Sequence, residues 1–175
     1  MARTLLVSLL ALVVGCGQRA PDPVRQAQRA AAAKALFDQT TKDCHLPSAQ
    51  ATGAECDRLL GLAAAGYEKL LREYRDQPDW CAPALRSLGN VRATQGRLDD
   101  AIQLYARVGR DYAGHDWEVL QAWKSAADLL WEAGRAAEAK GYDQQIVARF
   151  AGNDQPAVFQ TIVRAAQRRL DHGVE

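Results

Sequence analysis

The sequence predicts an all-α protein, a solenoid of antiparallel helical hairpins with about seven helices. A period of 38 residues runs through the middle of the chain. Such a period is typical of stacked hairpins, because one hairpin cannot bury its apolar face alone. Alanine is abundant and β-branched residues are sparse, which favours helix, and no convincing period-two strand occurs. The repeating positions are Ala63, Ala101 and Ala139, then Leu70, Val108 and Ile146, then Tyr74, Tyr112 and Phe150, with Tyr67 and Tyr105, and Gly96 and Gly134, in the same register.

Local composition predicts the first two helices and the loop between them. The alanine-rich stretch 24–43 is expected to be helical, with Phe37 as its bulky apolar group. A proline, a serine and a threonine favour a loop over 45–53. A second helix is expected over 54–75, because its apolar residues recur at helical spacing.

Glycines and prolines delimit the five later helices. Gly96 and Gly134 are expected to end two of them as left-handed cap residues. Asp154 is expected to cap the last helix, with Pro156 in its first turn. The expected bounds are 83–95, 99–112, 117–133, 136–150 and 155–171. Three arginines of the last helix are expected to stay solvated, namely Arg164, Arg168 and Arg169.

Residues 1–15 have the pattern of a secretory signal peptide. Arg3 supplies a positive charge, and an apolar run of about ten residues extends from Leu5 to Val14 and is followed by Gly15. That run is too short to span a bilayer, which takes roughly 20 residues. The segment Val13-Val14-Gly15-Cys16 resembles the lipobox of bacterial lipoproteins. The alternative is an ordinary signal peptide followed by an incidental cysteine.

The lipobox resemblance implies where the protein is held. In lipoproteins the signal is cut before the cysteine, so Cys16 would carry the acyl chains that anchor the protein to a membrane. Gly17 follows in place of the aspartate that resembles an inner-membrane retention signal. The expected location is therefore the bacterial cell envelope, on the periplasmic face of the outer membrane. Residues 16–23 would form the lipidated cysteine and a tether, and 24–175 the helical domain.

Composition excludes several function classes. The charge is balanced, with 22 basic and 21 acidic residues, and no basic stripe indicates nucleic-acid binding. No glycine-rich phosphate loop and no paired zinc signature occurs. We therefore expect no cofactor, no metal and no nucleic-acid partner.

The middle of the chain resembles tetratricopeptide repeats, over roughly residues 55 to 150. One unit has Leu88-Gly89 in its first helix and Ala101-x3-Tyr105 in its second. The next unit keeps the pattern less well, since Asp143 replaces the aromatic residue. The longer period resembles a subset of envelope proteins, including the lipoprotein of the outer-membrane barrel-assembly machinery and the periplasmic Tol-associated coordinator.

This resemblance implies a protein-binding groove lined by the first helix of each hairpin. Its outward-facing residues would be Arg86, Asn90, Lys124, Asp128 and Trp131. Trp131 is interpreted as a binding anchor, since aromatic residues on polar surfaces are typical of hot spots. The alternatives are plain solvation for the polar residues and packing against the neighbouring helix for Trp131.

Three cysteines follow Cys16, and export would place them in an oxidising compartment. Cys44 ends the first expected helix and Cys56 begins the second, so we predict a Cys44–Cys56 disulfide. Cys81 lies a helix length away from Cys56. It is interpreted as a buried small apolar residue or as a thiol free for an intermolecular disulfide.

The expected function is a lipid-anchored envelope scaffold that binds other envelope proteins, not an enzyme. An alternative is a pilotin or outer-membrane assembly factor. A second alternative is a thiol-dependent enzyme that uses Cys81. It is less favoured, because the sequence has no Cys-x-x-Cys motif.

Overall fold

The structure, a computed structural model, describes residues 22–152 and 154–173. The predicted signal peptide, Cys16 and nearly all of the tether lie outside these residues. Across the described ranges the protein is all-α, without strands, which confirms the predicted fold class. The helices are α1 (Pro23–Thr40), α2 (Gly53–Glu73), α3 (Pro78–Thr94), α4 (Leu98–Asp111), α5 (Asp116–Glu132), α6 (Ala136–Phe150) and α7 (Ala157–His172). A membrane-crossing helix, long and apolar enough for a bilayer, is not found within these ranges.

The helices pack as consecutive antiparallel hairpins in two layers. Each helix contacts the next one along the chain, and α1, α3, α5 and α7 also contact one another in that order. We call these four the inner layer, and α2, α4 and α6 the outer layer. The inner layer therefore brings together residues from successive hairpins, which is what a binding groove requires.

The residues at the 38-residue period form the core between the layers. Tyr67 and Tyr105 are fully buried, as are the repeating alanines and the three aliphatic residues in register with them. Burying each large apolar side chain stabilises the fold by roughly 1.5–3 kcal/mol. The period read from the sequence is therefore the spacing at which one hairpin packs on the next.

Two kinds of glycine shape the hairpins. Gly96 and Gly134 have φ values of 73° and 71° in the turns after α3 and α5, as predicted for left-handed caps. Gly89 allows α3 to approach α4, because a Cβ atom there would lie 2.5 Å from Cε1 of Tyr105.

The end of α1 corrects the predicted loop over 45–53. The helix continues through a π-helical turn (Thr41–His45) and a last α-helical turn (Leu46–Ser48). The hydroxyl of buried Tyr67 lies 2.8 Å from Oγ1 of Thr41 and 2.9 Å from Nδ1 of His45. We attribute the π turn to these contacts, which satisfy a buried hydroxyl that local sequence does not reveal.

The start of α3 also differs from the prediction. The helix begins at Pro78, five residues before the expected start at 83. Proline is favoured at the first helical position because its missing N–H is not needed there. Cys81 consequently lies inside the first turn of α3 and is fully buried.

Candidate functional site

All five predicted groove residues lie on the inner layer, on α3 and α5. The structure joins them to three side chains that the sequence analysis had not assigned to the site: Glu118, Asp143 and Arg169. We call the eight together the polar band: Arg86, Asn90, Glu118, Lys124, Asp128, Trp131, Asp143 and Arg169. The band runs from α3 across α5 to α7, with Asp143 reaching it from α6.

The first part of the polar band bridges α3 and α5. Nε of Arg86 donates to Oε2 of Glu118 at 2.5 Å, and the two side chains are only 22% and 15% exposed. Oδ1 of Asn90 accepts a hydrogen bond of 2.7 Å from the Tyr105 hydroxyl. Arg86 and Asn90 therefore support neighbouring helices as well as facing the inner layer's surface.

The second part is centred on a buried carboxylate. Asp143 is 0% exposed and accepts hydrogen bonds from Nε and Nη2 of Arg169, at 3.0 and 2.5 Å. It also accepts one of 2.9 Å from Nε1 of Trp131. This fork-shaped pairing of guanidinium and carboxylate satisfies a charge that would be very costly to bury alone.

Arg169 is shared between two carboxylates. Its Nη1 donates to Oδ1 of Asp128 at 2.7 Å, and Nζ of Lys124 lies 2.6 Å from Oδ2 of Asp128. Burial works to lower the pKa of Arg169, but Asp143 and Asp128 outweigh it and raise that pKa above its ordinary value. The guanidinium is thus a fixed positive charge that ties α7 to α5 and α6.

The 38-residue register explains why this network exists. Tyr67, Tyr105 and Asp143 occupy the same position in three successive hairpins. The first two are buried aromatic residues whose hydroxyls bond to polar groups on inner-layer elements. In the third hairpin the carboxylate of Asp143 takes that place and needs a cation, which Arg169 supplies.

The hydrogen bonds to Asp143 change the interpretation of two residues. Arg169 was expected to be solvated, but its side chain is 20% exposed because it pairs with Asp143 and Asp128. Trp131 was interpreted as a binding anchor, with packing against the neighbouring helix as the alternative; it is half-buried and its indole N–H donates to Asp143 on α6, which favours the alternative. The sequence did contain a signal for this pairing: Asp143 stands at a position that is buried in the other hairpins, and a buried carboxylate needs a positively charged partner.

His45 lies at the α1 end of the inner layer and was placed in a loop by the sequence analysis. In the structure it is half-buried in the π turn, with its ring against Tyr67. Burial, and secondarily the charge of Arg86, lower the pKa of His45 below its ordinary value of 6.5. The imidazole is therefore kept neutral at pH 7, as its contact with the Tyr67 hydroxyl allows.

The structure does not contain the predicted Cys44–Cys56 disulfide, and that pairing stays a prediction. Both thiols are free and half-buried in the structure, and Sγ of Cys56 faces the carbonyl oxygen of Ser48 at 3.5 Å. The prediction assumed that α1 ends near Cys44, whereas the helix continues through Ser48 and carries the chain past that point.

Cys81 does not have the surroundings of a nucleophile. It is fully buried, and its Sγ donates to the carbonyl oxygen of Tyr74 at 3.1 Å. Burial raises the pKa of its thiol, which reduces the thiolate that nucleophilic chemistry needs. This favours the interpretation of Cys81 as a buried small apolar residue.

The polar band offers recognition chemistry. Positive and negative side chains alternate along it and are paired with one another, so it presents donors and acceptors without a large excess of either charge. Within residues 22–152 and 154–173, no cluster of three or more histidine, cysteine, aspartate or glutamate side chains could hold a metal ion. Comparisons of the sequence with known protein families and with characterised proteins found no match.

Proposed function

We propose that this chain is a lipid-anchored scaffold of the bacterial envelope that binds a segment of another envelope protein along the polar band. The observation that carries the proposal is the continuity of the band across α3, α5 and α7. Successive hairpins contribute to one polar surface, as in solenoids that bind extended partners. The partner would exchange hydrogen bonds with the alternating charges.

The anchored part of the proposal rests on the lipobox-like segment and the short tether. The N-cap Asp22 accepts a hydrogen bond of 3.0 Å from the backbone N–H of Val24, so α1 begins within the last two residues of the predicted tether. Seven extended residues reach at most ~25 Å. Acylation at Cys16 would therefore hold the polar band close to the membrane surface.

A charge reversal on the polar band tests the binding surface. Lys124 suits this because it is 42% exposed and pairs only within α5, so Lys124→Glu should leave the fold intact. Lys140→Glu is the matched control, since Lys140 is an exposed lysine on the outer helix α6.

The readout is recovery of co-purifying envelope proteins from detergent-solubilised membranes. We expect Lys124→Glu to reduce recovery of a specific partner about tenfold, the effect of ~1.4 kcal/mol in binding, and Lys140→Glu to leave it unchanged. Equal losses for both variants, or none for either, would refute binding along the polar band. Thermal unfolding of both variants verifies that each is folded.

A further inference from the structure

A groove of about 450 Å³ lies on the outer side of the stack, between α2 and α4. Its floor is apolar and consists of Leu71, Leu88 and Leu104, which come from three successive helices. This volume is within the range of typical ligand sites. The groove is separate from the polar band, which lies on the inner layer.

Four arginines surround this floor, and three of them are weakly engaged. Arg92 is tightly held by Glu68, with Nη2 donating to Oε1 at 2.6 Å. Arg72 lies 3.8 Å from its neighbour in sequence, Glu73, and is 65% exposed. Nε of Arg107 donates to Asp111 over 3.4 Å. Arg75 makes no hydrogen bond or ion pair within the part of the chain that the structure describes.

The next repeat contains the equivalent groove but lacks most of these arginines. Adding 38 residues maps Arg72 onto Arg110, but Arg75, Arg92 and Arg107 map onto Ala113, Leu130 and Gln145. That second groove is smaller, about 290 Å³, and is partly filled by Trp123. The later hairpins therefore stack at the same period without the cluster, so stacking at that period does not itself require these arginines.

We propose that the first groove, which we call the arginine groove, binds an acidic–apolar peptide segment of a partner protein. Guanidinium groups pair carboxylates in a bidentate manner, and the leucine floor would accept an apolar side chain between those carboxylates. Glu68 and Asp100 also line the groove and leave an excess of only two positive charges. That small excess suits a ligand with one or two carboxylates better than a polyanion such as a nucleic acid.

The test selects peptides from a phage library of random twelve-residue sequences on the full-length purified protein. The tightest peptide is then labelled with fluorescein and titrated by fluorescence anisotropy. The test variant is Arg72→Gln/Arg75→Gln/Arg107→Gln, which retains the structural Arg92. The control of equal net charge is Arg110→Gln/Arg164→Gln/Arg168→Gln, at exposed positions outside the arginine groove.

We expect the selected peptides to combine aspartate or glutamate with leucine or aromatic residues. Their affinity should fall at least ~10-fold in the test variant, as for loss of one good ion-paired contact, and stay unchanged in the control. Selection of peptides without acidic residues, or equal binding to both variants, would overturn the proposal. The absence of any selected peptide would overturn it too, and if phosphatidylglycerol vesicles then bind the wild-type protein but not the test variant, the groove is assigned to a lipid headgroup.

Discussion

Asp143 shows how a single side chain decides the construction of a hairpin. A carboxylate stands where two earlier hairpins bury a tyrosine, and it is stable there because Arg169 and Trp131 satisfy it. The register revealed the substitution, but the sequence did not identify the partner. Arg169 lies 26 residues away, on a helix beyond the repeating segment, and only tertiary packing brings it back.

A comparison of a single substitution with a double substitution tests this pair. Asp143→Ala alone should cost about 3–5 kcal/mol of unfolding free energy, because it leaves the guanidinium of Arg169 partly buried and short of a partner. Replacing both with leucine should cost much less, since it removes both charges and restores apolar contact. Urea unfolding measures each variant. A single-variant loss below ~1 kcal/mol would show that the pair behaves like a surface ion pair.

His45 should make stability depend on pH. Its pKa is lower in the folded state than the ordinary value of 6.5, because burial and Arg86 disfavour the charged ring. Well above pH 6.5 the ring is neutral in both the folded and the unfolded state, so it does not lower the stability there. As the pH falls below 6.5 the unfolded chain takes up the proton first, so stability declines until the folded pKa is reached.

Urea unfolding at pH 7.5 and pH 5.5 checks this effect, with His45→Gln as the comparison. Glutamine can still accept a hydrogen bond from the Tyr67 hydroxyl but does not titrate in this range. The wild-type protein should lose more stability than the variant on acidification. Identical losses would mean that His45 does not titrate differently in the two states.

The cysteines should differ in reactivity in the native protein. Cys81 is fully buried with a raised thiol pKa, whereas Cys44 and Cys56 are half-buried and free. Under native conditions a thiol reagent should therefore label Cys81 last, and only as fast as the protein unfolds. Mass spectrometry of labelled peptides gives the order. Rapid labelling of Cys81 would revive its interpretation as an available thiol.

At the scale of the helix, the sequence predicted helix ends correctly where neighbouring residues alone determine them. The turn glycines after α3 and α5 have the positive φ that their position predicted. The prediction for the end of α1 was wrong because it inferred a loop from a proline, a serine and a threonine. The structure instead extends the helix so that Thr41 and His45 reach the hydroxyl of Tyr67.

The close contact between α3 and α4 at Gly89 gives a prediction about stability, with a glycine of α2 as the control. Gly89→Ala should destabilise the protein by about 1–3 kcal/mol, because the added Cβ would overlap the ring of Tyr105. Gly61→Ala is the control, since Gly61 is exposed within α2 and its Cβ would meet nothing within 4 Å. It should stabilise by up to ~1 kcal/mol through helix propensity. Thermal unfolding compares the two variants, and we expect a lower melting temperature than wild type for Gly89→Ala and a higher one for Gly61→Ala.

At the scale of the whole molecule, the 38-residue period predicted the stack and its core. The resemblance to tetratricopeptide repeats placed the five predicted groove residues on the first helices of two successive hairpins, and in the structure those helices are neighbours in the inner layer. The arginine groove could not be predicted from net charge, since 22 basic and 21 acidic residues balance overall. The cluster exists only because α2, α3 and α4 bring four arginines around one apolar floor.

Photo-crosslinking in intact cells tests the central claim that the inner layer is the protein-binding surface. A photoreactive amino acid is placed at Lys124 or Thr94 on the inner helices, and at Lys140 on α6 as the outer-face control. We predict a discrete crosslinked envelope protein at both inner positions and none at Lys140. The same product at all three positions, or at Lys140 alone, would contradict binding through the inner layer.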